Sequence, residues 1–457
     1  MNLIYINTHD TGRAVSPYGY NVKTDNLLKL AQDGVLFSHA YCCGPTCSPS
    51  RAAMLTGTYP HQNGMYGLAQ RGFDLSDPRK HLANYLRQRG YKTVISGIQH
   101  EVGWYLDLDV EKTNKLGYEL ILTSPPEYYD KNREVLHEWD HKNAVEISKW
   151  LDQYDNDKPF MLTYGLHSTH RPYPLVDTSI ADQRYLKPHS PSITNDINRH
   201  DEAQYATTAY YADQNIGIVI EALKRNGYYD NSLIIFTTDH GVSAPFNKAF
   251  LNDNGIGVSL IMRVPNNIKT GIVIDRIVSQ IDIFPTICDI LDLDKPNYLE
   301  GTSLVPLLND PKTSIRDYIY AELNFHTSYE PARCVRNERF KYVKFYDKEW
   351  LNLNISNMDD SKPRDFLLEN GLRSKTKPVE ALYDTYYDPL ETNNIIDRKE
   401  YQNELEKLKL QMNEIQNKTN DPLLSKHFDI LPQYKVNKNE CINPSSKDPE
   451  DYVSFGQ

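Results

Sequence analysis

Apolar residues in this chain come in short runs bounded by polar clusters, and the period of the pattern changes from run to run. Residues 2–8 (NLIYINT), 92–96 (KTVIS), 159–166 (PFMLTYGL) and 232–238 (SLIIFTT) are apolar-rich stretches of strand length, as expected of strands covered on both faces. Between them lie segments with helical spacing: 25–34, closed by Gly34, then 81–89, 143–154 and a long one over 201–225 whose tyrosine and aliphatic stripe reads as core. Further strand-like runs occupy 35–40, 257–263 and 272–278. Such alternation predicts a large open α/β sheet with helices on both faces. Near Asp310-Pro311-Lys312 the composition turns polar. Beyond it, 318–323, 332–335 and 340–345 read as short strands of an antiparallel sheet, with a charged helix at 401–416 packed on it. Two units are expected, residues 1–311 and 312–457, the second ending in a polar tail from about residue 419.

Composition narrows the classes. A length of 457 residues suits one large core and one smaller one, and 39% hydrophobic with 24% charged residues is ordinary for a soluble globular protein. A formal charge of −11 with no clustered Lys/Arg face excludes broad nucleic-acid binding. No hydrophobic run approaches the roughly 20 residues that span a bilayer. The chain opens directly on its first core strand, without a basic leader or cleavage site, and its six cysteines show no framework spacing. A cytoplasmic location is expected, a trimmed leader being the alternative.

Polar residues just past buried strands lie where open α/β sheets place their ligands. The first strand runs into His9-Asp10, and the 232–238 strand into Asp239-His240-Gly241. Asp10 is therefore a candidate metal ligand, and Asp239 with His240 suits a divalent cation shared with it. Gly44-Pro45 breaks the chain and residues 50–55 open a helix, so Cys47 is expected at or just before a helix N-terminus. Unpaired N–H groups and the helix dipole hold an anion there, and Arg51 adds a planar donor. A thiol in that setting is expected to be acidified.

Cys47-Ser48-Pro49-Ser50-Arg51, followed by Leu55-Thr56-Gly57, resembles the C-x-P-S-R signature of the type I sulfatases, in which the cysteine is converted to formylglycine. Other segments carry the resemblance onward. Gly97-Ile98-Gln99-His100 stands where the family has G-K-x-H, His170 where a histidine faces the leaving group, and Lys248 where a lysine contacts sulfate. Asp282 to Leu291, Gly301-Thr302-Ser303-Leu304 and Leu382-Tyr383-Asp384 match later elements, and His61-Gln62-Asn63-Gly64-Met65-Tyr66-Gly67 is similar to the N-sulfoglucosamine sulfohydrolase (heparan N-sulfatase) branch. Three positions depart: His9 replaces one of two adjacent aspartates, Ile98 replaces the lysine, and Asp239-His240 replaces Asp-Asn, as in phosphonate monoester hydrolases.

The resemblance implies an alkaline-phosphatase-like fold, a large mixed sheet sandwiched by helices with a smaller C-terminal antiparallel sheet plus helix. It implies one divalent metal ion, calcium foremost with manganese or zinc as alternatives, held by Asp10, Asp239, His240 and the converted Cys47, with His9 a further candidate. Arg51 and Lys248 would neutralise charge, His170 would be the acid and His100 the base. The implied substrate is a sulfated saccharide, an N-sulfoglucosamine sulfamate or a glycosaminoglycan-derived O-sulfate, and the implied partner a formylglycine-generating or anaerobic sulfatase-maturating enzyme. Two other readings stay open: a phosphonate monoester or phosphodiester hydrolase of the same superfamily, and a non-catalytic binding protein with Cys47 unmodified.

Overall fold

The computed structural model describes residues 1–103, 110–126, 135–155, 158–267, 269–425 and 428–453. Its main sheet has eight strands in the order Ile272–Ile274, Val35–Phe37, Leu260–Arg263, Ser232–Thr238, Asn2–Thr8, Phe160–Gly165, Lys92–Gly97 and Leu120–Ile121. Leu260–Arg263 runs antiparallel to both neighbours and the other pairings are parallel, so the sheet is mixed and mostly parallel. Along Asn2–Thr8, Leu3 and Tyr5 enter one apolar cluster while Ile4 and Ile6 enter another. That division explains the unbroken apolar run, since both faces of the strand are covered. Helices Leu136–Gln153 and Asp196–Arg225 cover the Ile4 face through Ala144, Ile147, Leu151, Ile216 and Val219. Helices Cys47–Thr56, Leu82–Arg87 and Ile283–Ile290 cover the other.

Three runs expected as single strands are each divided between sheets. Val35–Phe37 continues as Ala40–Tyr41, Leu260–Arg263 is preceded by Gly257–Val258, and Ile272–Ile274 is followed by Val278–Ser279; the second members form a separate three-stranded sheet. The breaks fall where polar groups find partners outside the ladder: Ser259 donates through N and Oγ to the Gly12 carbonyl (2.9 and 2.7 Å), and Ser38 Oγ donates to Asp275 Oδ1 (2.6 Å). Two helices also begin earlier than expected. Leu136–Gln153 includes the buried Trp139 and Asp140, and Asp196–Arg225 starts where the Asn195 side chain accepts the Asn198 N–H.

The C-terminal sheet pairs Ile319–Phe325, Tyr329–Arg336, Phe340–Phe345 and Glu380–Asp384 in sequence, all antiparallel, under helix Gln402–Thr419. Leu405, Leu408 and Met412 of that helix pack on Tyr320, Val335 and Leu382, in a cluster that also takes in Cys43, Ala53 and Tyr59. Arg333 is wholly buried in this layer, its Nε and Nη2 donating to Asp421 at 2.6 and 2.9 Å and its Nη1 to Asn324 Oδ1 at 2.8 Å. Burial alone raises the Asp421 carboxyl, but the Arg333 charge and hydrogen bonds hold it below the usual carboxylate range. Its contribution to stability is therefore complete above the ordinary aspartate pKa of about 3.9 and drains as pH falls below it. No helix among the described residues is long and apolar enough to cross a membrane.

Removing only one member of this pair strands a buried charge. Arg333→Ala is expected to lower the unfolding free energy by about 3–5 kcal/mol, and the double change Arg333→Met with Asp421→Leu to recover most of it. Urea denaturation at pH 7 measures both.

Candidate functional site

Four neighbouring strands end at one edge of the sheet and deliver the candidate residues there. Asn2–Thr8 and Ser232–Thr238 pair in register to their last residues, Thr8 opposite Thr238, so Asp10 and Asp239 emerge side by side. Phe160–Gly165 leads to His167 and His170, and Lys92–Gly97 to His100. Gly97 has φ 87°, and a Cβ there would lie 1.9 Å from the Gly165 carbonyl oxygen; the bare backbone permits the turn that brings these two loops together. Asp10 itself lies in the left-handed region, at φ 56°, a conformation costing an L-residue roughly 1–2 kcal/mol. In it the Asp10 N–H donates to Asp239 Oδ1 at 2.9 Å.

Cys47 is the first residue of its helix, as the sequence leads one to expect. Its Sγ lies 3.3 Å from His240 Nε2 and 3.9 Å from Asp10 Oδ1. The expected acid thiol is not found. Burial pushes the Cys47 thiol well above its ordinary range, and the nearby Asp10 and Asp239 add to the rise against Lys248 and Arg51. An unconverted cysteine here is a neutral thiol.

Asp10, Asp239 and His240 are fully buried, and Arg51 and Lys248 are each 3% exposed. Arg51 directs its Nε to Asp239 Oδ2 (3.2 Å) and its Nη2 to Thr8 O (3.4 Å), so it braces the carboxylate from behind. Lys248 Nζ donates to Asp10 Oδ2 at 2.8 Å and to Asp359 Oδ2 at 2.9 Å. At Asp239 burial is outweighed by His240, Arg51 and the Asp10 N–H, and the carboxyl falls below its ordinary value. At Asp10 burial prevails over Lys248, with Asp239 and Asp359 adding to it, and the carboxyl rises. A buried carboxylate driven upward in this way marks a site short of positive charge.

The donor set fits a divalent cation. Ligand atoms of Asp10, Cys47, Asp239 and His240 all lie within 4.8 Å of one another, and a second grouping joins His9, Asp10, Cys47 and His170. His240 Nδ1 contacts the Gly241 carbonyl at 3.0 Å, which can only accept, so Nδ1 carries the proton and Nε2 is a bare lone pair 3.3 Å from Asp10 Oδ1. Two acceptors facing each other at that distance need a cation or a proton between them. Burial lowers the His240 pKa to about 4, leaving it neutral and able to ligate.

His9 joins a chain of contacts: Nδ1 lies 2.8 Å from Asp10 Oδ1, Nε2 lies 3.3 Å from His100 Nδ1, and His100 Nε2 lies 2.8 Å from Gln70 Oε1. With the Gln70 oxygen accepting, the proton order leaves His9 Nδ1 bare toward Asp10, as a metal ligand would be. With the amide turned over, His9 donates to Asp10 instead. Burial keeps both imidazoles well below the usual histidine range and neutral.

The cleft above Cys47, about 660 Å³, has His100, His170 and Lys248 in its wall. His170 Nδ1 faces the Arg171 carbonyl, and its Nε2 lies 3.2 Å from Lys248 Nζ. Ile98 is turned away, buried with Leu136 and Trp139. Sequence reasoning missed Gln70, His326 and Asp359, all in the cleft wall, and Asp140, whose carboxylate accepts the His167 and Ser168 N–H groups at 2.7 and 2.9 Å and so sets the His170 loop. Asp359 lies 111 residues from the lysine that it binds, and no local pattern announces it.

Protons compete with a cation at a raised carboxyl. Thermal stabilisation by added calcium or manganese is expected to grow as pH rises from about 5 to 8, and to be lost in Asp239→Asn. Differential scanning fluorimetry against a magnesium control measures this.

Comparison with known proteins bears on the family of the chain. The family model described as Sulfatase matches residues 1–293, and the one described as N-sulphoglucosamine sulphohydrolase, C-terminal, matches 239–365. An ulvan-active sulfatase of Formosa agariphila is 25% identical, covering 90% of this chain and 74% of that protein. Human N-sulphoglucosamine sulphohydrolase is 27% identical over 88% of this chain and 86% of its own. A solved structure in complex with its substrate D-glucosamine-2-N,6-O-disulfate superposes with a TM-score of 0.70 at 20% identity, covering 93% of this chain and 99% of that one. With the motif at the helix start, the paired strand-end carboxylates and a family match over most of the large sheet, the chain belongs to the type I sulfatase family.

Proposed function

We propose that this sulfatase hydrolyses sulfate from a saccharide, an N-sulfoglucosamine sulfamate or a glycosaminoglycan-derived O-sulfate, with Cys47 converted to formylglycine. The observation that carries the reading is the position of Cys47 Sγ, at the cleft floor between the bare Nε2 of His240 and Asp10. Conversion requires a maturating enzyme as partner, and the six free cysteines favour a reducing compartment, the cytoplasm.

Asp10, Asp239 and His240, with His9 beside them, are the residues that would hold the divalent cation, and the imidazole admits manganese or zinc beside calcium. Such a cation supplies Lewis-acid polarisation of a sulfate oxygen and a lowered pKa for a bound hydroxyl. Formylglycine supplies a hydrated aldehyde, one hydroxyl to attack sulfur and a second to expel sulfate. Arg51 keeps Asp239 ionised and oriented. Lys248, held charged by Asp10 and Asp359 against its burial, faces the cleft where sulfate oxygens gain charge. His170 shares the Lys248 proton through Nε2, and in its protonated form is the acid for the leaving oxygen or nitrogen. His100, neutral and 1% exposed, is the base that collapses the sulfated hydrate.

The motif shared with heparan N-sulfatases supports kinship more than sugar contact. His61 N and Nδ1 both face Glu322, Asn63 binds Met65 N, and Tyr66 packs on Phe428, while the cleft rim begins at Leu68. The C-terminal family match reaches the cleft itself, since it contains Lys248 and Asp359.

Cys47→Ala is expected to lower turnover more than about a thousandfold with the fold intact, because the covalent route has no other nucleophile. Circular dichroism and sulfate-release assays check the two halves of that statement. A sulfamate nitrogen must be protonated to leave, whereas an activated phenolate leaves unaided. His170→Ala should therefore cost about a hundredfold or more on N-sulfoglucosamine and about tenfold or less on an aryl sulfate. Equal losses on both would make His170 a sulfate-binding residue. Paired assays with a phosphonate monoester and a phosphodiester test the rival chemistry suggested by Asp239-His240, and higher kcat/KM on either would favour it.

A further inference from the structure

The polar tail expected beyond residue 419 is in part a built wall of the cleft. Residues 435–447 run along the side facing Cys47 and are tied down by Arg71, 8% exposed, whose Nη1 donates to the Lys435 carbonyl (2.8 Å) and Asn437 Oδ1 (3.0 Å) and whose Nη2 donates to the Pro444 carbonyl. Within it Val436, Cys441 and Ser446 are buried. The segment is thus packed and holds Lys435 and Lys447 in the cleft wall.

The charge on this wall is unbalanced. Among the described residues lining the cleft, four are lysine or arginine (Arg71, Lys248, Lys435 and Lys447) and one, Asp359, is acidic, in a chain whose formal charge is −11. Asp359 is already bound by Lys248 and Ser243. Arg71 meets neutral oxygens in these contacts, and burial lowers its pKa to about 10. Lys435 Nζ lies over the Tyr452 ring at 4.6 Å, and neither Lys435 nor Lys447 enters an ion pair among the described residues. A cleft wall on which one sign of charge predominates, backed by a low-dielectric interior, concentrates the opposite sign.

We propose that Lys435 and Lys447 form a second oxyanion subsite, which takes a sulfate or carboxylate on the substrate other than the sulfate being removed. The substrate would then be an oligosaccharide with at least two anionic groups, one at Cys47 and one on this wall. The cleft volume, about 660 Å³, lies within the roughly 300–1,000 Å³ of sites that enclose whole small molecules. The inference rests on the saccharide-sulfatase reading for its substrate, but the subsite is a matter of binding and can be tested without turnover.

The test uses the full chain with Lys435→Ala and Lys447→Ala combined; both side chains are exposed, so folding is not at stake. On a heparin-derived disaccharide bearing sulfate and uronate, kcat/KM should fall about five- to thirtyfold through KM, and clearly more than on p-nitrophenyl sulfate. In the Cys47→Ala background, calorimetric titration with the same disaccharide should show the same loss of affinity, and a weaker dependence on salt. Repeating the titration with an N-acetylated, uronate-only disaccharide separates carboxylate from sulfate recognition. Unchanged affinity in the lysine variant, or equal losses on the disaccharide and the aryl sulfate, overturns the subsite. Binding that depends on the lysines without turnover by the parent enzyme supports the subsite and refutes the substrate assignment alone.

Discussion

Two buried carboxylates must share one small volume, and the rest of this structure answers that constraint. Asp10 and Asp239 have no exposure and are joined by a hydrogen bond from the backbone of one to the side chain of the other. Isolated, such a pair would protonate, because removing charge from water costs several kcal/mol per group. Arg51 braces Asp239 from the Cys47 helix, and Lys248 reaches Asp10 from the loop after His240. His240 turns a bare nitrogen into the same space. A divalent cation held by these groups would supply the positive charge still lacking, and Cys47, on the first turn of its helix, borders the same space.

The architecture follows from this placement. Parallel strands with registered ends bring their following loops to one edge, so four polar segments far apart in the chain converge there. The C-terminal sheet then closes the site from the side. Its contact runs through Glu322, whose N–H donates to the Cys43 carbonyl and whose carboxylate accepts the His61 N–H, and through Asp253, which meets Arg336 and Lys341. Asp359 carries this second layer into the chemistry by holding Lys248.

What could be read from the chain depended on range. Asn2–Thr8 and Ser232–Thr238 were legible to the residue, because a strand buried on both faces leaves an unbroken apolar run. Cys47 at a helix start was legible from Gly44-Pro45 and the helix-forming residues after it. The division of 35–40, 257–263 and 272–278 between two sheets was not, since periodicity reports that a segment is extended and not which ladder it joins. The thiol's neutrality was not legible either: a helix terminus argues for acidity, and what reverses the argument is burial under the assembled fold, with the carboxylates of positions 10 and 239 adding to it. Gln70, Asp140, Asp359 and the 435–447 wall are polar residues in polar surroundings of sequence, and acquire meaning only through contacts as much as 373 residues away, as between Arg71 and Pro444.

Conversion of Cys47 and release of sulfate must rise and fall together. The direct measurement uses preparations co-expressed with graded amounts of a maturating enzyme. In each, mass spectrometry of the Cys47 peptide gives the fraction converted, a loss of about 18 Da, and the same sample is assayed for sulfate released from a sulfated saccharide. Activity proportional to the converted fraction, extrapolating to zero with none converted, is the predicted result. Activity that persists at zero conversion, or none at full conversion, would contradict it.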